Sequence, residues 1–235
     1  MAYRAGLRLG SSVLNNILCW RFFLLSIGYG LMLCGCSTTA GPSPQDQAKL
    51  SADWAYRADG IKLYVASSGD MNNWDGEAHT VALAIIQMDD PAEFTRISTD
   101  RAALLQLINE GKAPLWSVQL SRYVINPGVK TASVTLARAQ KTKHFGIVAG
   151  YYDFDASQDV KFFSIPLKLK EEDSGFVARP AQVRVAIQFG RQQIVSSTLT
   201  SIDEYPDVPL TPGADTEQEG QMPVGEISGI YPIRE

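Results

Sequence analysis

Between Gly60 and Leu199 the chain returns repeatedly to short runs in which apolar and polar residues alternate, set apart by turn residues. A period of two is that of a strand, whose side chains point to opposite faces in turn. Gly60-Ile61-Lys62-Leu63-Tyr64-Val65-Ala66 alternates as a half-buried strand does, and so does Thr131-Ala132-Ser133-Val134-Thr135-Leu136-Ala137 just after a Pro127-Gly128 turn signal. Thr80-Val81-Ala82-Leu83-Ala84-Ile85-Ile86-Gln87 is almost continuously apolar and reads as a central strand. Phe145-Gly146-Ile147-Val148-Ala149-Gly150-Tyr151 is another buried strand, with glycines where a neighbour approaches closely. Val183, Val185, Ile187 and Phe189 share a face opposite Arg184 and Gln188, and Gln192 to Leu199 follows Gly190-Arg191 closely enough for a hairpin. One helical excursion interrupts the strands. Asp90 caps a helix with Pro91 at its first position, and Thr99 caps a second stretch with Leu104, Leu105 and Ile108 on one face and Gly111 as its stop. About seven strands with a short helical insertion between the second and third predict an all-β fold, a two-sheet antiparallel β-sandwich.

That sandwich has no disulfide to support it. Cys19, Cys34 and Cys36 all precede Ser37, so the domain holds together by burial alone. The cysteines instead end a leader. Arg4, Arg8 and Arg21 give residues 1–35 a basic character without any acid, and Phe22 to Leu33 is apolar but short of the roughly 20 residues of a membrane span. This is the order of a signal sequence. Its end, Leu33-Cys34-Gly35-Cys36, resembles a bacterial lipobox, with leucine three before the cysteine and a small residue directly before it. Cys36 fits as the lipid-carrying residue, whereas Cys34 would put Leu33 where a small residue is needed. An ordinary secretory signal and an uncut inner-membrane anchor are the other readings. With Cys36 acylated, Ser37 after it is the residue that permits transport to the outer membrane, with the domain facing the periplasm.

The chain therefore divides into a signal peptide over 1–35, a lipidated flexible tether over 36–50 rich in Ser, Thr, Pro and Gly, a sandwich domain over 51–202, and a tail over 203–235. The tail holds eight acids against Arg234, together with five prolines, and is expected to be disordered, with Ile227 to Tyr231 as a possible docking segment. The net charge of −4 belongs to this tail, and an acidic chain argues against general nucleic-acid binding.

No catalytic constellation assembles. His79 and His144 lie far apart without a second ligand at metal spacing, and no nucleophile elbow, P-loop or dinucleotide fingerprint occurs. Asp153 to Asp159 imitates a calcium loop, but Gln158 replaces the turn glycine and Ser164 the bidentate glutamate, so it reads as a solvated loop between strands. The expectation is a protein that is not an enzyme, with no metal and no cofactor beyond the lipid on Cys36.

One loop stands apart. Ser67 to His79 is long for a connection between strands that could pair through a tight turn, and it carries Met71 and Trp74 among polar residues. Aromatics on such loops anchor protein partners. The competing reading has Trp74 folded back as a lid on the sandwich.

Several of these features resemble the outer-membrane lipoprotein of type VI secretion systems, the TssJ/SciN/VasD family. The lipobox and tether agree, as does a first strand followed by a long loop. Ile86-Gln87-Met88-Asp89-Asp90-Pro91-Ala92-Glu93-Phe94 is similar to the family's tyrosine-Gln-Leu-x-Asp…Phe pattern, Pro127-Gly128 to its turn, and Phe145 to Tyr152 to its aromatic-Gly-Val-Val-Ala-Gly-Tyr signature. Val160-Lys161-Phe162-Phe163 departs from the family's tryptophan-arginine, and the acidic tail is an addition. The resemblance implies a transthyretin-like sandwich that holds the periplasmic domain of an inner-membrane component, TssM, against the outer membrane. It also implies that Met71, Asn72, Asn73, Trp74 and Asp75 form the binding tip. A sandwich lipoprotein that binds cell-wall glycan is the alternative, and it would carry its aromatics along a sheet face.

Overall fold

A computed structural model describes residues 41–202 and 229–233. The signal, Cys36 and most of the tail fall outside the described residues. Chain contacts separate Met1–Ser43 from Pro44–Glu235, and every element below belongs to the second unit. In chain order they begin with α1 (Pro44–Leu50), β1 (Arg57–Ser67), β2 (Val81–Met88), α2 (Ala92–Ile97), α3 (Arg101–Glu110), β3 (Gln119–Ile125), β4 (Ala132–Arg138) and β5 (His144–Gly150). There follow α4 (Ala156–Asp159), β6 (Val160–Ser164), β7 (Leu167–Glu172), β8 (Gly175–Pro180), β9 (Gln182–Phe189), β10 (Ile194–Ile202) and β11 (Ile230–Pro232).

The strands form the expected sandwich. Sheet one has the order β10-β9-β1-β4 and sheet two the order β11-β3-β2-β5-β6, while β7 and β8 make a separate hairpin. Neighbours are antiparallel except β1 and β9, which run parallel in register from Ile61↔Val183 to Ser67↔Phe189. Between the sheets, Ile61, Leu63 and Val65 of β1 and Val183, Val185 and Ile187 of β9 meet Leu83, Ile85, Phe145 and Ile147 in one apolar core. Each such side chain contributes about 1.5–3 kcal/mol by leaving water.

The near-continuous apolar run of β2 has a second cause. Ala84, Ile86 and Met88 face away from the sandwich, where Phe94 and Ile97 of α2 and Leu104, Leu107 and Ile108 of α3 cover them with Val148. Gly146 makes room for this layer, since a β-carbon there would lie 2.2 Å from the Phe94 ring. Pro91, not Asp90, stands at the cap position of α2, although the Asp90 carboxylate still reaches its first turn. Asp90 accepts from the Ala92 amide at 2.9 Å, and Asp100, not Thr99, caps α3 through the Ala102 and Ala103 amides. Gly111 ends α3 at φ 67°. The fully buried Gln87 donates to the Ala137 carbonyl at 2.9 Å and accepts from the Ala139 amide at 2.9 Å and the Thr142 hydroxyl at 3.0 Å. It thereby fixes the connection from β4 to β5.

Several expectations need correction. The tether over 36–50 is helical from Pro44 to Leu50, where Ala48 is buried and α1 rests on β8. The tail expected to be disordered over 203–235 returns as β11, whose Ile230 enters the sandwich core and pairs with Ile125. β1 and β2 do not pair at all. They lie in different sheets, so the long loop between them is the crossover at one end of the sandwich. No helix among the described residues is long and apolar enough to cross a membrane.

Candidate protein-docking site

The crossover loop is tied down from its root. Beyond β1, the Ser68 amide donates to the Phe189 carbonyl at 2.9 Å, and the Ser68 carbonyl accepts from the Gly128 amide at 2.9 Å. Met71 then turns inward and is fully buried in the sandwich core. Its carbonyl accepts from the His79 amide at 3.0 Å, which closes the neck of the loop.

Asn72 is the clamp. Its backbone is left-handed at φ 50°, a conformation that asparagine tolerates better than most residues. Its side-chain nitrogen donates to the Thr80 carbonyl at 2.7 Å, and its side-chain oxygen accepts from the Tyr152 amide at 2.8 Å. Asn73 is bracketed from the other sheet. Its amide donates to the Arg191 carbonyl at 3.0 Å, and the Arg191 guanidinium donates to its side-chain oxygen at 3.2 Å.

Beyond these braces the tip is a miniature hairpin. Trp74 and Glu77 exchange backbone hydrogen bonds of 2.9 and 3.0 Å around Asp75-Gly76. The two central residues stand at φ 52° and 86°, the positive pair a type I′ turn requires. Trp74 therefore leaves the loop in a fixed direction and remains 59% exposed. Its ring centroid lies 5.7 Å from that of Tyr152, itself exposed, and His79 meets the same tyrosine edge-on at 5.1 Å. Tyr151, next in chain, points the other way. Its buried hydroxyl donates to the Gln193 carbonyl at 3.0 Å and braces the β9–β10 turn, and burial pushes its pKa above the ordinary phenol value.

The rim is acidic. Asp70, Asp75, Glu77 and Asp153 are exposed around the aromatic group, with Arg191 as a nearby cation. The Ser68 hydroxyl and, more weakly, Arg191 hold the Asp70 carboxyl below the usual carboxylate range. An apolar centre within a polar rim is the anatomy of a protein interface.

Of the five residues expected at the tip, Trp74 and Asp75 are presented to solvent, and Asn73 is half-buried in its bracket. Met71 and Asn72 are corrected. Both are buried, and they build the loop from within. The lid reading of Trp74 is not what the exposed ring shows. Tyr152, His79 and Arg191 are additions. The Asp75-Gly76 dipeptide was a legible turn signal, but nothing local in the sequence pairs Tyr152 with Trp74.

Elsewhere the polar groups are structural. Asp155 caps α4 through the Ser157 amide at 2.9 Å, and Asp159 reaches back to the Asp155 amide at 2.9 Å, so the calcium-like segment spends two of its carboxylates on its own backbone. Among the described residues no three His, Cys, Asp or Glu side chains gather as a metal site. His144 lies 3.0 Å from the Ser164 hydroxyl and stacks on Phe162, and burial lowers its pKa. On the outer face of sheet one the aromatic is Tyr64, and the Arg184 guanidinium lies over its ring at 5.2 Å. A sugar ring on this face would have to displace that cation.

Residues 59–192 match the family described as type VI secretion lipoprotein, VasD, EvfM, TssJ. No curated protein matches the sequence. Among solved structures, the type VI lipoprotein TssJ1 from Pseudomonas aeruginosa aligns over 63% of this chain and 98% of its own at 16% identity, with a TM-score of 0.44. Lip from Serratia marcescens, a membrane-bound component of the type VI secretion system, aligns over 62% and 98% at 13% identity, with a TM-score of 0.42. A structure described as the TssM C-terminal domain from EAEC contains a chain that aligns over 60% and 98% at 16% identity, with a TM-score of 0.41.

Proposed function

The chain belongs to the type VI secretion lipoprotein family, a component of a secretion apparatus and not an enzyme, and we propose that it anchors the trans-envelope complex of that apparatus at the outer membrane. In this reading Cys36 carries the lipid and the sandwich faces the periplasm. Each buried methylene of the acyl chains adds about 0.8 kcal/mol to the anchorage. The crossover loop then grips the periplasmic domain of an inner-membrane component resembling TssM.

The observation that supports this most directly is the exposed pair of Trp74, on a loop whose other parts are braced, and Tyr152, just after β5. Binding to an ordered aromatic pair avoids most of the entropy cost of fixing a mobile loop. The acidic rim suits a partner surface with basic residues around an apolar hollow, and such complementarity speeds encounter more than it deepens affinity.

Biolayer interferometry of the full chain in detergent against the periplasmic domain of the candidate partner tests this reading, with Trp74→Ala beside the parent. Saturable binding that the substitution abolishes supports role and loop together. Binding that survives moves the surface elsewhere, and its absence from the folded parent removes the proposed role.

A further inference from the structure

The two sheets leave four edges, and three carry a device that discourages further pairing. β11 is three residues long and ends on Pro232. β6 is five residues long and includes Lys161. β4 ends on Arg138, and Gln87 takes its Ala137 carbonyl. Short length, proline, lysine and capped backbone groups are how sheet proteins avoid association through edges.

β10 confines such devices to its ends, a register irregularity between Ile194 and Ser196 and a lysine on the Ile202 carbonyl, and has none between them. Its nine residues, Ile194-Val195-Ser196-Ser197-Thr198-Leu199-Thr200-Ser201-Ile202, include no charge and no proline. Its ends are engaged: Ile194 is buried, and the Ile202 carbonyl accepts from Lys168 at 2.6 Å. Over 195–201, among the described residues, the backbone hydrogen bonds run to β9 alone. Val195 is 58% exposed, and Ser196, Thr198 and Thr200 are exposed on the outer face.

We propose that this edge is an interface between two copies of the chain, which pair β10 with β10 antiparallel across a two-fold axis at Thr198. The composition favours a second copy over an unrelated strand because the segment is complementary to itself in that arrangement. Ser196 falls opposite Thr200, Ser197 opposite Leu199 and Thr198 opposite its own counterpart, so hydroxyl meets hydroxyl along the outer face and no charge faces a like charge. Such cross-strand Ser/Thr pairs are favourable. A two-fold contact also closes at the dimer and cannot propagate. The two four-stranded sheets become one continuous sheet. The loop tip packs on the turn just before Ile194, so antiparallel pairing sends the two Trp74 tips to opposite ends of the dimer and makes it bivalent.

The full chain in detergent should sediment as a concentration-dependent dimer. Thr198→Lys adds a solvent-facing charge without touching the core; two lysines opposed at the axis should weaken self-association about fivefold or more, with the circular dichroism spectrum unchanged. Directly opposite residues lie about 4.5–5.5 Å apart, within disulfide reach. Mild oxidation of membranes that hold Thr198→Cys should therefore give a cross-linked dimer beyond any formed by the parent chain through Cys19, Cys34 or Cys36. Ser133→Cys on edge β4 should not. A parent that stays monomeric, a dimer indifferent to Thr198→Lys, or equal cross-linking at Ser133→Cys would overturn the interface.

Discussion

The side-chain oxygen of Asn72 accepts the backbone N–H of Tyr152 at 2.8 Å, joining two segments 80 residues apart in the chain. This bond brings the end of β5 under the crossover loop and so places the Tyr152 ring against Trp74. The candidate docking surface thus depends on a buried residue, so substitutions at the exposed tip should change binding alone, whereas those beneath it should change stability and binding together.

Trp74→Ala should weaken partner binding by about 2 kcal/mol or more, the usual loss for a central aromatic anchor. Its unfolding midpoint should not move, because the ring is exposed. Tyr152→Ala should show a smaller loss of the same kind. Interferometry together with urea denaturation checks both. A drop in stability equal to the drop in binding would contradict the assignment of Trp74 to the surface.

Asn72→Ala removes two buried hydrogen bonds and puts alanine at φ 50°. Leaving the Thr80 carbonyl and Tyr152 amide unpaired should cost roughly 2–4 kcal/mol, with loss of binding as a consequence. Met71→Ala empties a core position and should cost about 2–5 kcal/mol. Urea titration of the two variants against the parent measures these costs.

Gly76 stands at φ 86° with open space where a β-carbon would go, so a substitution there meets only backbone strain. Gly76→Ala should lose about 1 kcal/mol or more, whereas Gly76→Asn should retain most of the parent's stability and partner affinity. Equal effects of the two would show that the turn does not hold this geometry in solution.

Asp159 is fully buried, and burial raises its pKa to about 6. The folded state therefore holds a proton between about pH 4 and 6 that the unfolded chain has released, and stability falls as pH rises through that interval. Asp159→Asn lacks this titration. Its stability relative to the parent should improve by about 2 kcal/mol between pH 4.5 and 7, from a raised pKa in the folded state. Paired urea curves at the two pH values give the difference directly, and a pH-independent difference would contradict it.

How far these features could be read from the residues depended on how local their causes are. The run of β2 is legible because Leu83 and Ile85 face one core while Ala84 and Ile86 face the other, so burial on both sides is written into consecutive residues. β3 is hidden because Gln119 to Val124 are all half-buried, which leaves no alternation to read. The β7–β8 hairpin is hidden by its charges, Lys168, Lys170, Glu171 and Glu172, which resemble a loop. The long loop was visible from its length. Its inner and outer residues were not, since Met71 is as apolar as any anchor and only its fit into the core, which a flexible thioether allows, sends it inward. Tyr152 lay beyond reach because its place beside Trp74 follows from a tertiary hydrogen bond.

The position of β1 bears on how this protein withstands load. In the proposed role a lipid on Cys36 precedes β1 in the chain and the gripping loop follows it directly, so a pull applied between them would enter this strand at one end and leave it at the other. β1 is held on both sides, antiparallel to β4 and parallel to β9. A pull along its axis strains those hydrogen bonds together, in shear, whereas an edge strand pulled sideways would unzip them one at a time. The proposed grip would thus be mounted on an interior strand of its sheet, and resistance to extraction under load is governed by the rate of unfolding more than by the equilibrium stability.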